Sequence, residues 1–225
     1  MLDVETGDGV ADAYLSLPEG EPRRGVLFMI DAFGLRARIE EMADRIAAAG
    51  YAVLAPNVFY HAGRAPVLPM PDLEDPGGRE AFMRGVGPLM GALTPDRVAA
   101  DGGAYLDRLA EEAPGPAAIA GYCMGGRLGW RIAAAHPERV SALGCFHAGG
   151  LVTDDPESPH RSAADLRAEL YFGFADNDRS MTAEQIGALE RALDEAGARY
   201  RSEVYAGAAH GYTMDAPFNK QREFL

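Results

Sequence analysis

Short continuous apolar runs alternate along the chain with stretches of helical spacing. Gly25 to Ile30 is apolar throughout, the mark of a strand covered on both faces. Ile39, Met42, Ala43 and Ile46 then recur on one helical face up to Gly50, a C-terminal cap. Tyr51 to Ala55 is a second buried strand, stopped by Pro56. This strand–helix–strand unit predicts parallel pairing with a right-handed crossover. Residues 10–17 alternate weakly before Pro18-Glu19-Gly20 and predict a first strand. Residues 57–79 are rich in proline, glycine and charge and predict a long surface excursion. Phe82, Val86, Leu89, Met90 and Leu93 predict a helix weakened by Gly85, Gly87 and Pro88. Thr94-Pro95-Asp96 is a helix start, with Val98, Gly102, Tyr105 and Leu109 on one face.

The second half continues the alternation. Ala118 to Gly121 ends in a glycine-rich turn, and Leu128, Ile132 and Ala135 follow at helical spacing. Ser141 to Phe146 reads as a buried strand and 150–167 as a polar loop. Leu170 to Phe174 is another strand. Thr182 with Gln185 fits a capping box before Ile186, Leu189 and Leu193. Tyr200 to Tyr205 is the last strand. The pattern predicts an α/β fold, a doubly wound, mostly parallel sheet with helices on both faces.

The length, 225 residues, suits one domain spanning 1–225. No apolar run reaches membrane-spanning length, and the start lacks a basic-then-apolar leader, so a cytoplasmic location is expected. A net charge of −13 argues against nucleic acid and anionic membranes as partners. The two cysteines, Cys123 and Cys145, lack metal-ligand spacing, so no metal site is expected, and a disulfide is disfavoured. Cys145 lies in the apolar run and reads as core.

Chemistry concentrates where strands end, the place where ligands bind in such sheets. Cys123 follows one strand in Gly121-Tyr122-Cys123-Met124-Gly125-Gly126, Asp176 and Asp178 follow another, and His210 follows the last. Gly-x-Cys-x-Gly resembles the nucleophile elbow of α/β-hydrolases with cysteine in place of serine, and the order nucleophile, acid, histidine matches theirs. A small buried cysteine in a glycine-rich turn is the alternative for Cys123, and a loop histidine for His210.

Four segments together resemble the dienelactone hydrolase family of α/β-hydrolases: Ile30-Asp31-Ala32-Phe33-Gly34, Gly50 to Pro56, Gly121 to Gly126, and Ala209-His210-Gly211-Tyr212. The resemblance implies a cofactor-free hydrolase of small esters or lactones with a Cys–His–Asp triad. Cys123 would be the nucleophile and His210 the base. Asp178 fits the family's acid pattern, whereas Asp176 fits the more general Gly-x-x-Asp spacing after Gly173. Asp31 stands where members often carry a glutamate that pairs near the nucleophile. Backbone N–H groups of Met124 and Ala32 would form the oxyanion hole. Where members hold a substrate carboxylate with an arginine four residues after the histidine, this chain has Met214; Arg36, Arg79, Arg84 and Arg127 are other sources of charge. Asp215 to Leu225 reads as a short or frayed helix, leaving sheet surface that is either bare or covered by another subunit in a homo-oligomer. The alternative function is a small-molecule binding or sensor protein on the same fold; a redox-sensing thiol is a third reading.

Overall fold

The structure is a computed structural model that describes residues 1–72 and 75–214, without the side chains of Pro76 and Arg79. The expected closing segment Asp215 to Leu225 lies outside the described residues. The chain packs as two compact units, Met1–Ala117 and the part from Ala118 onward.

In the first unit the strands are β1 (Leu2–Thr6), β2 (Gly9–Ser16), β3 (Gly25–Met29) and β4 (Ala52–Pro56), ordered β1-β2-β4-β3. Every residue of β3 and β4 is buried, and the two pair in parallel through α1 (Ala37–Ala48), as continuous apolar runs demand. Helix α1 buries Ile39, Met42, Ala43 and Ala47, and Gly50 closes it at φ +98°. The antiparallel start is a finding the pattern did not predict. β1 hairpins onto β2, and β2 runs antiparallel to β4. In β1 only Val4 is buried, so its apolar signal is a single residue.

The excursion after β4 is pinned by a buried polar pair. Asn57 Nδ2 donates to Asp12 Oδ1 at 2.9 Å, and the Ala65 N–H donates to Asp12 Oδ2 at 2.9 Å. Helices α2 (Pro76–Gly91) and α3 (Pro95–Glu112) follow. Asp75 caps α2, which contains Pro88, and Thr94 caps α3 by accepting the Arg97 N–H.

In the second unit the order is β5 (Ala117–Tyr122), β6 (Val140–Phe146), β7 (Glu169–Asn177) and β8 (Tyr200–Ala209). β6 pairs with β7 in parallel, as does β7 with β8. Helices α4 (Met124–Ala135) and α5 (Ala183–Glu195) connect them, α5 opening on the expected Thr182–Gln185 capping box. The polar stretch 150–167 contains a 3-10 segment, Pro159–Asp165, in which Pro159 and Ala163 are buried. β8 runs four residues beyond Tyr205, because Gly207 adopts φ +72° and a register shift between Ala175 and Asn177 lets pairing resume at Ala209. Trp130, Ile132, Phe172 and Leu189 are fully buried, as is Cys145, whose thiol is pushed up by burial. No helix among the described residues is long and apolar enough to cross a membrane.

Glycine is obligatory at the end of β5. A Cβ on Gly121 would sit 2.4 Å from the Gly125 carbonyl oxygen and 2.7 Å from Gly126 Cα, backbone atoms that cannot swing aside. Gly121→Ala is therefore expected to lower stability by about 3 kcal/mol, at the upper end of ordinary overpacking costs, read from urea denaturation. A change below 1 kcal/mol would mean that strand and helix separate easily there.

Candidate active site

Cys123 links β5 to α4 with φ 54° and ψ −119°, a conformation that side chains rarely adopt. Such backbone costs about 1–3 kcal/mol and persists where neighbours hold it. Here the Cys123 N–H donates to the Phe146 carbonyl at 3.0 Å, and the Cys123 carbonyl accepts from the Gly126 N–H at 3.2 Å. Met124 opens the helix, so its N–H is among the amides without an intrahelical acceptor.

His210 follows β8 directly, in a turn closed by the Tyr212 N–H on the Ala209 carbonyl. Its Nε2 lies 3.0 Å from Cys123 Sγ and its Nδ1 2.7 Å from Asp178 Oδ2. Asp178 follows β7 and is nearly buried. Its Oδ1 accepts from the Ser180 N–H at 2.8 Å and from Ser180 Oγ at 2.6 Å, so both carboxylate oxygens are engaged. Ser180 Oγ also lies 3.2 Å from His210 Nδ1. Asp176 takes another role: its Oδ2 accepts the Gly207 N–H and its Oδ1 accepts from Asn177, a turn residue in contact with β8.

Burial alone would pull the His210 imidazole down. The hydrogen bonds and charges of Asp178 and Cys123 outweigh it and push its pKa up to about 10. Burial likewise opposes ionisation of Asp178, but the His210 and Ser180 hydrogen bonds hold its carboxyl below the usual carboxylate range.

A residue the sequence reading passed over stands beside this row. His147 follows β6, is 1% exposed and adopts φ 40°. Its ring meets that of His210 edge-on at 5.0 Å, and its Nε2 lies 2.7 Å from Thr213 Oγ1. Burial, then the neighbouring His210 charge, hold it neutral, with its pKa down at about 3. Its position after a strand end is the same signal that singled out His210. Sγ of Cys123 and one ring nitrogen each of His147 and His210 lie within 4.8 Å of one another.

Of the remaining candidates, Asp31, Ala32, Arg36, Arg79 and Arg84 lie in the first unit, and Arg127 and Met214 in the second. Asp31 is buried, and Arg36 clamps both of its carboxylate oxygens, at 2.7 and 2.8 Å. The Phe33 N–H also donates to Asp31. Ala32 sits in the turn that the Gly34 N–H closes on the Asp31 carbonyl. Arg36 is thus committed to Asp31, Arg84 pairs with Glu80 on the exposed face of α2, and Arg127 lies against Gly150. The Arg79 side chain is not described. Met214 is buried.

A parallel α/β sheet with a strained residue between strand and helix, facing a histidine after the last strand, defines the α/β-hydrolase class. The dienelactone hydrolase family model matches residues 11–223, and this chain belongs to that family. It is accordingly an enzyme acting on carboxylic esters. The carboxymethylenebutenolidase of Rhodococcus opacus is 26% identical over 188 residues, 83% of this chain and 69% of that protein. An Escherichia coli K12 protein provisionally named carboxymethylenebutenolidase is 27% identical over 216 residues, 90% of this chain and 73% of its own length. Among solved structures, m3DLH superposes with TM-score 0.77 at 26% identity, covering 96% of this chain and 84% of its own. A Klebsiella pneumoniae structure provisionally named dienelactone hydrolase gives TM-score 0.80 at 20% identity, covering 99% and 93%. The eight-stranded, mostly parallel fold is the one these structures share.

Proposed function

We propose that this chain is a cysteine-dependent hydrolase of small esters or lactones, working through Cys123, His210 and Asp178. The observation that carries the reading is the unbroken row from Sγ to Nε2 at 3.0 Å and from Nδ1 to the Asp178 carboxylate at 2.7 Å. A row of this kind suits acyl transfer because each group prepares the next.

The steps follow from the donors and acceptors. The proton shared by Sγ and Nε2 rests on His210, whose pKa is raised to about 10, and Sγ attacks the ester carbonyl carbon to form a C–S bond. The carbonyl oxygen gains the negative charge and receives the Met124 N–H; one such donor is worth about 3 kcal/mol in the transition state. The adduct collapses, the C–O bond breaks, and the imidazolium returns its proton to the leaving alkoxide. The thioester is then attacked by a water that His210 deprotonates, releasing the carboxylic acid and the free thiol. Esters and lactones suit this route better than amides, since a thiolate leaves the first adduct more readily than an amine does. Met214 stands where the family resemblance puts a carboxylate-binding arginine, and this departure is compatible with a neutral ester substrate.

The intermediate provides the test. Rapid acid quench of the enzyme with p-nitrophenyl acetate, followed by peptide mass spectrometry, is expected to place one acetyl group on the Cys123 peptide. Acetyl transfer to another residue during turnover would defeat the proposal.

A further inference from the structure

We infer that Cys123, His147 and His210 form a binding site for a divalent cation of the zinc class, and that filling it silences hydrolysis. The silencing rests on the function proposed above; the binding does not. Two observations point to a ligand. First, three donor atoms of the right kind converge: Sγ and a nitrogen from each imidazole lie within 4.8 Å of one another. Second, Nδ1 of His147 has no hydrogen-bond partner among the described residues although the residue is 1% exposed. Buried polar atoms are ordinarily satisfied, so a bare ring nitrogen on one of these three residues asks for a partner.

Both histidines are held as metal-binding histidines are held. A ligating imidazole uses its other nitrogen on a carboxylate, carbonyl or similar group, which fixes tautomer and orientation. His210 gives Nδ1 to Asp178 and keeps Nε2 for the centre. His147 gives Nε2 to Thr213 Oγ1; with that N–H donating, Nδ1 carries the lone pair. One thiolate and two imidazoles suit zinc, whereas magnesium and calcium prefer oxygen ligands. Zinc bonds of roughly 2.0–2.3 Å leave ligand atoms about 3.5 Å apart. The 3.0 Å contact between Cys123 and His210 is already that short, and drawing the other donors in from within 4.8 Å takes a shift of roughly 1 Å. The fourth position would hold water.

Binding exchanges one proton and no electrons. The S–Zn bond forms, and the proton shared by Cys123 and His210 leaves to solvent. The metal then occupies the two lone pairs that attack and proton transfer require, so activity falls in proportion to occupancy and returns when a chelator removes the ion.

Isothermal titration of the metal-free chain with zinc chloride, and absorption titration with cobalt, read the site without turnover. The wild type is expected to bind one ion, with a thiolate-to-cobalt charge-transfer band that disappears in Cys123→Ser. His147→Asn, a side chain that tolerates the left-handed backbone, is expected to weaken zinc by about a hundredfold. Thr213→Val is expected to weaken it by about tenfold or more. Circular dichroism identifies variants that retain the fold. Absence of a cobalt band in wild type, or wild-type zinc affinity in folded His147→Asn, would overturn the site. Full hydrolysis with zinc bound would overturn the silencing, whereas zinc binding to a chain that hydrolyses no ester even when metal-free would overturn the hydrolase reading and leave the site standing.

Discussion

Replacing Cys123 by alanine is expected to lower turnover of p-nitrophenyl acetate by about 10⁴-fold or more, the scale seen when a nucleophile is deleted from a concerted row. The physical reason is that the variant loses the sulfur held 3.0 Å from His210 Nε2. His210 keeps its hydrogen bond to Asp178 in the variant but has no sulfur with which to share its proton. What activity survives would come from the Met124 N–H and from binding alone. Cys145 supplies the control. It is fully buried, its Sγ contacts the Gly126 carbonyl at 3.6 Å, and burial pushes its thiol away from ionisation. Cys145→Ala should leave turnover within about twofold after correction for folded fraction, since a buried structural thiol is inert. Wild-type turnover in Cys123→Ala would remove the cysteine mechanism.

The second large effect separates two aspartates. Asp178→Asn is expected to reduce kcat by about 10³–10⁴-fold, because an amide no longer holds the imidazole in the tautomer that presents Nε2 to sulfur. Asp176→Asn is expected to reduce it by less than about threefold, since Asp176 serves the Gly207 N–H and has no contact with His210 among those seen. Comparable losses in the two variants would mean that neither carboxylate orients the base. The Asp178 variant has a second readout in pH. In the wild type the His210 pKa is raised to about 10, so its contribution to stability is complete below about pH 6.5 and is lost as pH rises through 10. The Asp178 pKa is lowered, so its contribution is present above the usual carboxylate range and is lost as pH falls through the depressed value. Urea denaturation should therefore show the wild type gaining most over Asp178→Asn near pH 5–6, with the gap closing toward pH 3 and toward pH 10, by the same linkage. A gap independent of pH would indicate that the pair is not charged in the folded protein.

Local signals made much of this chain legible. The apolar runs at β3 and β4 could only be strands covered on both faces. Thr94 and Thr182 marked helix starts because a capping hydroxyl acts within three residues. Gly121 and the residues after Cys123 marked a tight strand-to-helix turn for the same short-range reason. β1 was not legible, because one buried side chain makes no pattern. The length of β8 was not either: its pairing beyond Tyr205 depends on Asp176 capping Gly207 from another strand.

The amino-acid order alone determined the alternation of strands and helices, the unusual turn at Cys123, and which strand ends carry a sulfur, carboxylates and an imidazole. Only the tertiary structure decided which of these meet. Cys123 and His210 are 87 positions apart, and Asp178 rather than Asp176 faces the ring because of the register shift where β7 ends. It also turned Asp31 toward Arg36 and brought His147, unremarked in its strand-end context, against His210. Capping, periodicity and turn chemistry act over a few residues and can be read in order along the chain. The direction a side chain faces after a bulge, and the partner it finds there, depend on how distant strands align.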